Sequence, residues 1–421
     1  VGWAATGGLG ADGLGACGGL ATHRTAVTLR VVLSVVLVSV GGVSSAAGDT
    51  LVVARRSWVR AGKSSNRAAW ANTTSAISHH KARRGIPVLG WPKIWPSGEL
   101  RMKLATYKDG SRDGQLVVVS KDLSTAHYAT GIAHTLQQAL DDWNFIAPQL
   151  EDLYSTLNQG KARHAFAFDP ALCMAPLPRA HQWVQGNAYA SHLALTRGAD
   201  ADKDLTLQWG SSAAFLGATD AVVLPGDAPR ADFSAGWAAI TGDVAQGVAT
   251  GDAIDGVRLL ALVNAWLVPE AQQASAPWVA FSPVAVTPDE LGEAWSRGRV
   301  HLTLQTRWNE RKVGLCDAAV GMTHHMGALI AAVAAHRPVR AGTVVGTGPV
   351  SNPAAESGAN RWPKGYHSVA EKRAMEMAMD GTVSTEWVAP GERVAVEAKG
   401  ADGQSVWGTL EQGLPPTPEP Q

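Results

Sequence analysis

The sequence lacks several things, and each lack excludes a class of protein. It has 3 cysteines in 421 residues, Cys17, Cys173 and Cys316, too few and too scattered for a disulfide framework or a zinc motif. A reducing compartment is the default for such a chain, and a cytoplasmic location is expected. It has no excess of either charge, with 36 basic and 36 acidic side chains. With nothing overall to neutralise a phosphate backbone, no nucleic-acid partner is expected. No apolar run approaches the roughly 20 residues that span a bilayer, so no membrane partner is expected either. Internal repeats are also missing. What is present is an ordinary globular composition, 46% hydrophobic, at a length that suggests two or three domains.

The neutral total hides an asymmetry. Residues 1–101 carry 12 Lys/Arg against 3 Asp/Glu, leaving 24 against 33 for the remainder. All 7 methionines fall at or after Met102. Within 1–101 the apolar run Val31–Val43 follows Arg24 and Arg30 and precedes Ser44-Ser45-Ala46-Ala47, the outline of a secretory signal that starts late. Three readings stay open for this extension: a start placed too far upstream, a disordered arm, or a targeting signal. The first accounts for the composition and the methionines together.

Regular patterns begin at Met102. Met102–Tyr107 and Gln115–Val119 read as strands around a turn rich in Asp-Gly. Ile132, Leu136, Leu140 and Trp143 predict one amphipathic helix, and Leu150, Leu153, Tyr154 and Leu157 a second. Residues 102–170 thus form a small N-terminal α+β domain. From 171 to 412 the chain is strand-rich, with Val300–Thr306 alternating cleanly and a hairpin expected from Arg393–Ala398 and Ser405–Leu410. Helices are expected over about 252–266, from a Thr287 cap with Pro288 in the first turn, and over 322–333. Residues 413–421 read as a Pro-rich tail. The fold class is α+β, not alternating βαβ.

Segments in order along 102–412 resemble the fumarylacetoacetate hydrolase family, in particular its bacterial branch. They include Met102–Gly114, Ala162–Pro178, Tyr189-Ala190-Ser191-His192, Thr241–Val244 and Gly256–Leu260. Ala280–Leu291, Lys312–Asp317, Gly346–Asn352 and Ala370–Ala374 follow. The resemblance implies a mixed β-roll behind the small N-terminal domain, a homodimer, and hydrolysis of carbon–carbon bonds in β-diketo acids of the acylpyruvate or fumarylacetoacetate type, as in aromatic catabolism. It also implies Mg, Mn or Ca. A hard cation chelates a dioxo unit and stabilises an enolate, while a His held by a Glu deprotonates water.

Carried over residue by residue, the resemblance makes His192 the general base and Glu371 its orienting acid. Tyr189, Gly346 and Thr347 become substrate-binding. The metal positions depart from the pattern. Where the family has Glu-x-Glu on one strand, this chain has Ser234 and Gly236, and where it has Asp, Ala265. A lysine before Phe281 and a Glu just after the His are missing too, with Ala194 and Leu195 at the latter place. Asp232 could be re-aimed by a bulge, but one carboxylate is a poor site for magnesium. His324 and His325, adjacent in a helical stretch, point about 100° apart and are poor co-ligands. The sequence therefore carries two functional expectations, a metal-dependent hydrolase and a catalytically impaired relative that binds a small β-diketo acid or dicarboxylate or serves as a partner subunit. A third concerns the gene: reading errors or a decayed copy.

Overall fold

The computed structural model describes residues 99–198, 204–224, 230–269, 277–355 and 361–416. The extension to residue 98, the run Val31–Val43, the stretch 270–276 and the end of the Pro-rich tail lie outside the described residues.

The first strands are β1 (Lys103–Tyr107), β2 (Gln115–Val119), β3 (Thr125–Tyr128) and β4 (Phe166–Ala167). Between β3 and β4 run α1 (Leu136–Asp141) and α2 (Trp143–Asn158). Two helices are present as expected, but Trp143 opens the second instead of closing the first. Thr135 sets the start of the first helix, later than the expected Ile132, by accepting the Gln138 N–H on its hydroxyl. Next come β5 (Gln182–Gly186), α3 (Ala190–Arg197), β6 (Leu207–Gly210), β7 (Phe215–Leu216), β8 (Asp232–Thr241), β9 (Val257–Leu267), β10 (Trp278–Phe281) and β11 (Ala285–Val286). The chain continues through β12 (Trp295–Ser296), β13 (Arg299–Val300), β14 (Thr303–Trp308), β15 (Arg311–Asp317) and α4 (Met326–Val333). It ends with β16 (Thr343–Pro349), α5 (Val369–Asp380), β17 (Arg393–Ala398) and β18 (Leu410–Gly413).

A 12-stranded mixed sheet organises these elements in the order β4-β3-β2-β1-β11-β9-β8-β16-β5-β6, with β10 on β9 and β7 on β10. The N-terminal strands join it directly, since Lys103 pairs with Val286. A second sheet runs β15-β14-β17-β18. Among the described residues no helix is long and apolar enough to cross a membrane.

The centre of the large sheet is β8 against β9, antiparallel in register from Asp232↔Leu267 to Ile240↔Leu259. Both faces are covered. Phe233, Ala235, Trp237, Leu260, Leu262 and Trp266 belong to one core, and Ala238, Ile240, Leu259, Ala261 and Val263 to the other. A strand buried on both faces has no polar alternation. That is why 252–266, expected as a helix, is instead one 3-10 turn (Asp252–Gly256) followed by a strand. A short apolar run does not by its period separate the two.

Three smaller expectations also shift. The strand at 300–306 divides into β13 and β14. Ser405–Leu410 is not the partner of β17; β18 is, placing Gly413 opposite Arg393 and burying Leu414, so the fold extends into the expected tail. The turn after Thr287 is 3-10, and the Thr287 hydroxyl accepts from the Met102 N–H instead of capping it.

The two sheets are joined by a buried polar bracket. Gln412 accepts the Trp266 indole N–H at 2.8 Å and donates to the Gly217 and Asp220 carbonyls at 3.2 and 2.9 Å. Gln412→Leu strands all three, and an unpaired buried group costs about 1–3 kcal/mol. A loss of roughly 2–4 kcal/mol in urea unfolding is expected; a loss below about 0.5 kcal/mol would mean water replaces the amide.

Candidate functional site

A cavity of about 390 Å³ opens where β8, β16, β5 and the N-termini of α3 and α5 converge. His192, Tyr189, Asp232, Ser234, Thr347 and Ser368 are among its lining residues, and among the described residues Arg197 is the one arginine or lysine in the lining. Glu371 lies behind the wall.

His192 sits in the first turn of α3, whose N-cap is Tyr189. The Tyr189 hydroxyl donates to the Ala318 carbonyl at 2.6 Å, anchoring the start of the helix, and burial pushes its ionisation far up. Tyr189 thus lines the cavity while its hydroxyl is engaged elsewhere. His192 is partly exposed to the cavity, and its Nδ1 lies 3.6 Å from Glu371 Oε2. Glu371 is wholly buried in the first turn of α5. The expected base and its expected acid, 179 positions apart in sequence, therefore meet.

Thr347 belongs to a bulge. β16 pairs with β8 through Val344↔Ile240 and Gly346↔Ala238, then slips before Pro349↔Gly236. Gly348 takes a φ of +74°, which a side chain disfavours, and this turns its carbonyl toward β8. The Thr347 hydroxyl donates to that carbonyl at 2.7 Å and accepts from the Trp237 N–H at 3.1 Å. Gly346 lies one step back, paired with Gln185 on β5 and closed off by the Trp183 ring, outside the cavity lining.

Asp232 shows a role the sequence did not reveal. Its carboxylate accepts from the Val369 N–H at 2.6 Å and from the Ser368 hydroxyl at 3.0 Å, so it sits on the N-terminus of α5. An anion is favoured at a helix N-terminus, where backbone N–H groups lack helical partners. Burial raises its pKa to about 6, opposed by these hydrogen bonds and by the nearby His192. Ser368 caps the same helix by accepting from the Glu371 N–H. The Ser368-x-x-Glu371 spelling of a capping box was a signal for this helix start. Next to it, His367 is buried without charge, its pKa pushed down to about 3 by desolvation. The Cys316 N–H donates to its Nε2 at 3.3 Å, so Nδ1 carries the proton and faces Thr306 Oγ1 at 2.7 Å.

His324 and His325 lie away from this cavity. His325 immediately precedes α4, and burial lowers its pKa, with Arg299 and His324 adding to the effect.

The sequence matches the fumarylacetoacetase N-terminal domain 2 over residues 102–179 and the fumarylacetoacetate hydrolase C-terminal domain over residues 182–413. The chain belongs to the fumarylacetoacetate hydrolase family. Solved structures agree on the fold. A probable 2-hydroxyhepta-2,4-diene-1,7-dioate isomerase from Mycobacterium abscessus is 15% identical, with a TM-score of 0.53 over 76% of this chain and 100% of its own. A fumarylacetoacetate hydrolase from Exiguobacterium antarcticum is 16% identical, with a TM-score of 0.52 over 75% and 99%. A maleylpyruvate hydrolase from Sphingobium sp. SYK-6, solved with manganese and pyruvate, is 16% identical, with a TM-score of 0.50 over 74% and 100%. At these identities the likeness establishes the fold. No curated protein matches the chain.

The fumarylacetoacetate hydrolase family commonly binds a divalent metal, so the fit of this chain's residues can be tested. The three positions expected to be ligands do gather. Ser234 stands directly across from Ala265, and Gly236 follows on the same face of β8. Their side chains, however, offer one hydroxyl and no charge. A Cβ on Gly236 would be driven into the Gly348 carbonyl oxygen and would lie 2.8 Å from Thr347 Oγ1. The bulge thus fills the space a Glu side chain would leave from. Among the described residues no group of three or more His, Cys, Asp or Glu is placed to hold a cation. Asp232, the nearest carboxylate on the strand, is committed to α5. These residues do not fit a divalent cation.

Proposed function

We propose that the His192 cavity binds a small β-diketo acid or dicarboxylate without a divalent cation, and that metal-assisted carbon–carbon hydrolysis has been lost. The single observation carrying this reading is the Gly348 carbonyl lodged against Gly236. Loss of a ligand alone would leave a hole; here the backbone occupies it. The polar groups around the cavity support binding of a carboxylate ligand. His192 turns Nδ1 toward Glu371, which leaves Nε2 to the cavity for holding or moving a proton. Arg197, on the same helix, offers a cation for a carboxylate. Gln185 and Gln208 add side-chain amides along the wall.

The hydrolase reading retains one specific support, the Asp232 carboxylate within the lining. To take part, it would have to leave the Val369 N–H and Ser368 hydroxyl.

Two measurements on the full chain separate the readings. Calorimetric titration with manganese is expected to give no binding up to millimolar metal; stoichiometric micromolar binding would restore the hydrolase. A thermal scan with an acylpyruvate is expected to raise the melting temperature by a few degrees, with no loss of enol absorbance. Arg197→Ala should abolish that rise. A rise unchanged in this variant would place the ligand elsewhere.

A further inference from the structure

We propose that Ser351, itself held by Ser191, is a positioning residue that fixes Glu371 and thereby selects which nitrogen of His192 faces the cavity. This rests on the reading that His192 is the proton-handling group of the site.

Glu371 is wholly buried, yet only one of its oxygens has a hydrogen-bond partner. Oε1 accepts from the Ser351 hydroxyl at 2.5 Å. Oε2 has none, and neither has His192 Nδ1, 3.6 Å away. In a capping box, the Glu would reach back to the N-cap of its own helix. Here Ser351 holds it toward α3 instead. Ser351 follows β16, immediately after the core residue Val350, so its backbone is fixed by the sheet.

The directions of the bonds decide the chemistry. A serine hydroxyl has one proton. Ser351 gives its proton to Glu371, so in any hydrogen bond across the 2.9 Å contact between the two hydroxyls Ser191 is the donor, its one proton shared between Ser351 Oγ and the Ser351 carbonyl at 3.1 Å. The chain runs Ser191 to Ser351 to Glu371 and ends at a carboxylate oxygen that can only accept. The one donor facing that oxygen is the imidazole. The neutral ring is therefore protonated on Nδ1, and Nε2 keeps its lone pair for the cavity. Three separate elements, α3, the segment after β16 and α5, must meet for this to hold.

The test is ¹⁵N NMR of the full chain labelled at histidine, with His192→Gln identifying the His192 signals. At a pH where the ring is neutral, the expected wild-type tautomer is Nδ1–H. Ser351→Ala should lower the ratio of the Nδ1–H to the Nε2–H form by about fivefold, the scale of one lost hydrogen bond, and Ser351→Thr should restore it. Should Ser351→Ala not fold, Ser191→Ala should move the ratio the same way by a smaller factor. An Nδ1–H ratio unchanged in whichever variant folds, with only a lower melting temperature, would overturn the proposal and leave Ser351 as packing. Acylpyruvate stabilisation of His192→Gln equal to wild type would instead remove His192 from the ligand site while leaving the tautomer result standing.

Discussion

Replacing Gly236 with glutamate is expected to destabilise the protein severely instead of restoring a metal ligand. The sequence suggests the opposite, since Ser234→Glu, Gly236→Glu and Ala265→Asp together would rewrite the family's carboxylates. Structure changes the expectation at one of the three positions. Any Cβ at 236 meets the Gly348 carbonyl, and that carbonyl is fixed by the Thr347 hydroxyl, itself tied to the Trp237 N–H. A backbone contact cannot be relieved by a rotamer change. The bulge on β16 would have to open, breaking its pairing with β8 in the middle of the large sheet. Overpacking of this kind costs about 1–3 kcal/mol and often more, and a buried carboxylate adds its desolvation. Gly236→Ala separates the steric part from the charge. It should lose about 2–3 kcal/mol in urea unfolding, with Gly236→Glu failing to fold or losing still more. Ser234→Glu, which projects into the cavity, should be tolerated better than either. A Gly236→Ala protein within about 0.5 kcal/mol of wild type would show that the bulge yields, and the metal question would reopen.

The second large effect is acid lability centred on His367. In the unfolded chain an imidazole takes up its proton near pH 6.5, but in the fold burial holds the pKa down to about 3. Between those values the unfolded state binds the extra proton and the native state does not, so stability must fall as pH falls. The contribution is fully present above about pH 6.5 and is lost at about 1.4 kcal/mol per pH unit toward pH 3, or roughly 2 kcal/mol by pH 5. Asp232 acts with the opposite sign. Its raised pKa of about 6 makes its ionised form unfavourable in the fold, so lowering the pH through that value relieves it. The two partly cancel, and the quantity to measure is a difference. The pH slope of urea-unfolding free energy should be steeper in wild type than in His367→Asn by about one proton between pH 4 and 6. Equal slopes would mean that His367 is reached by water and charged in the fold.

How much of this was legible without the structure depended on the range of the interactions. Local signals were readable in the Asp-Gly turn after β1 and the apolar spacing in α1 and α2, whereas α5 was not among the expected helices although Ser368-x-x-Glu371 marks its start. Where a local pattern was degenerate, the reading failed. Val257–Leu267 is apolar on both faces, because both faces of β9 are covered, and without that knowledge it resembles a buried helix. His192 and Glu371 were found only because ordered segments matched a family; nothing in their own surroundings marks a pair 179 residues apart. The roles of Ser191, Ser351 and Asp232 are not legible in the sequence, since each depends on contacts with residues far along the chain.

The amino-acid sequence by itself determined the family, the order of its segments, and the neutral character of the three positions where carboxylates were expected. Those are matters of which side chains exist, and no folding alters them. The tertiary structure decided whether their loss leaves a gap or a filled space, and it decided which atoms meet. A one-residue slip in β16 carries the Gly348 carbonyl against Gly236, and the docking of α5 on α3 puts Glu371 between Ser351 and His192. Contacts between distant elements depend on sheet register and helix docking, which are set by the packing of the whole core and not by the residues on either side of the site.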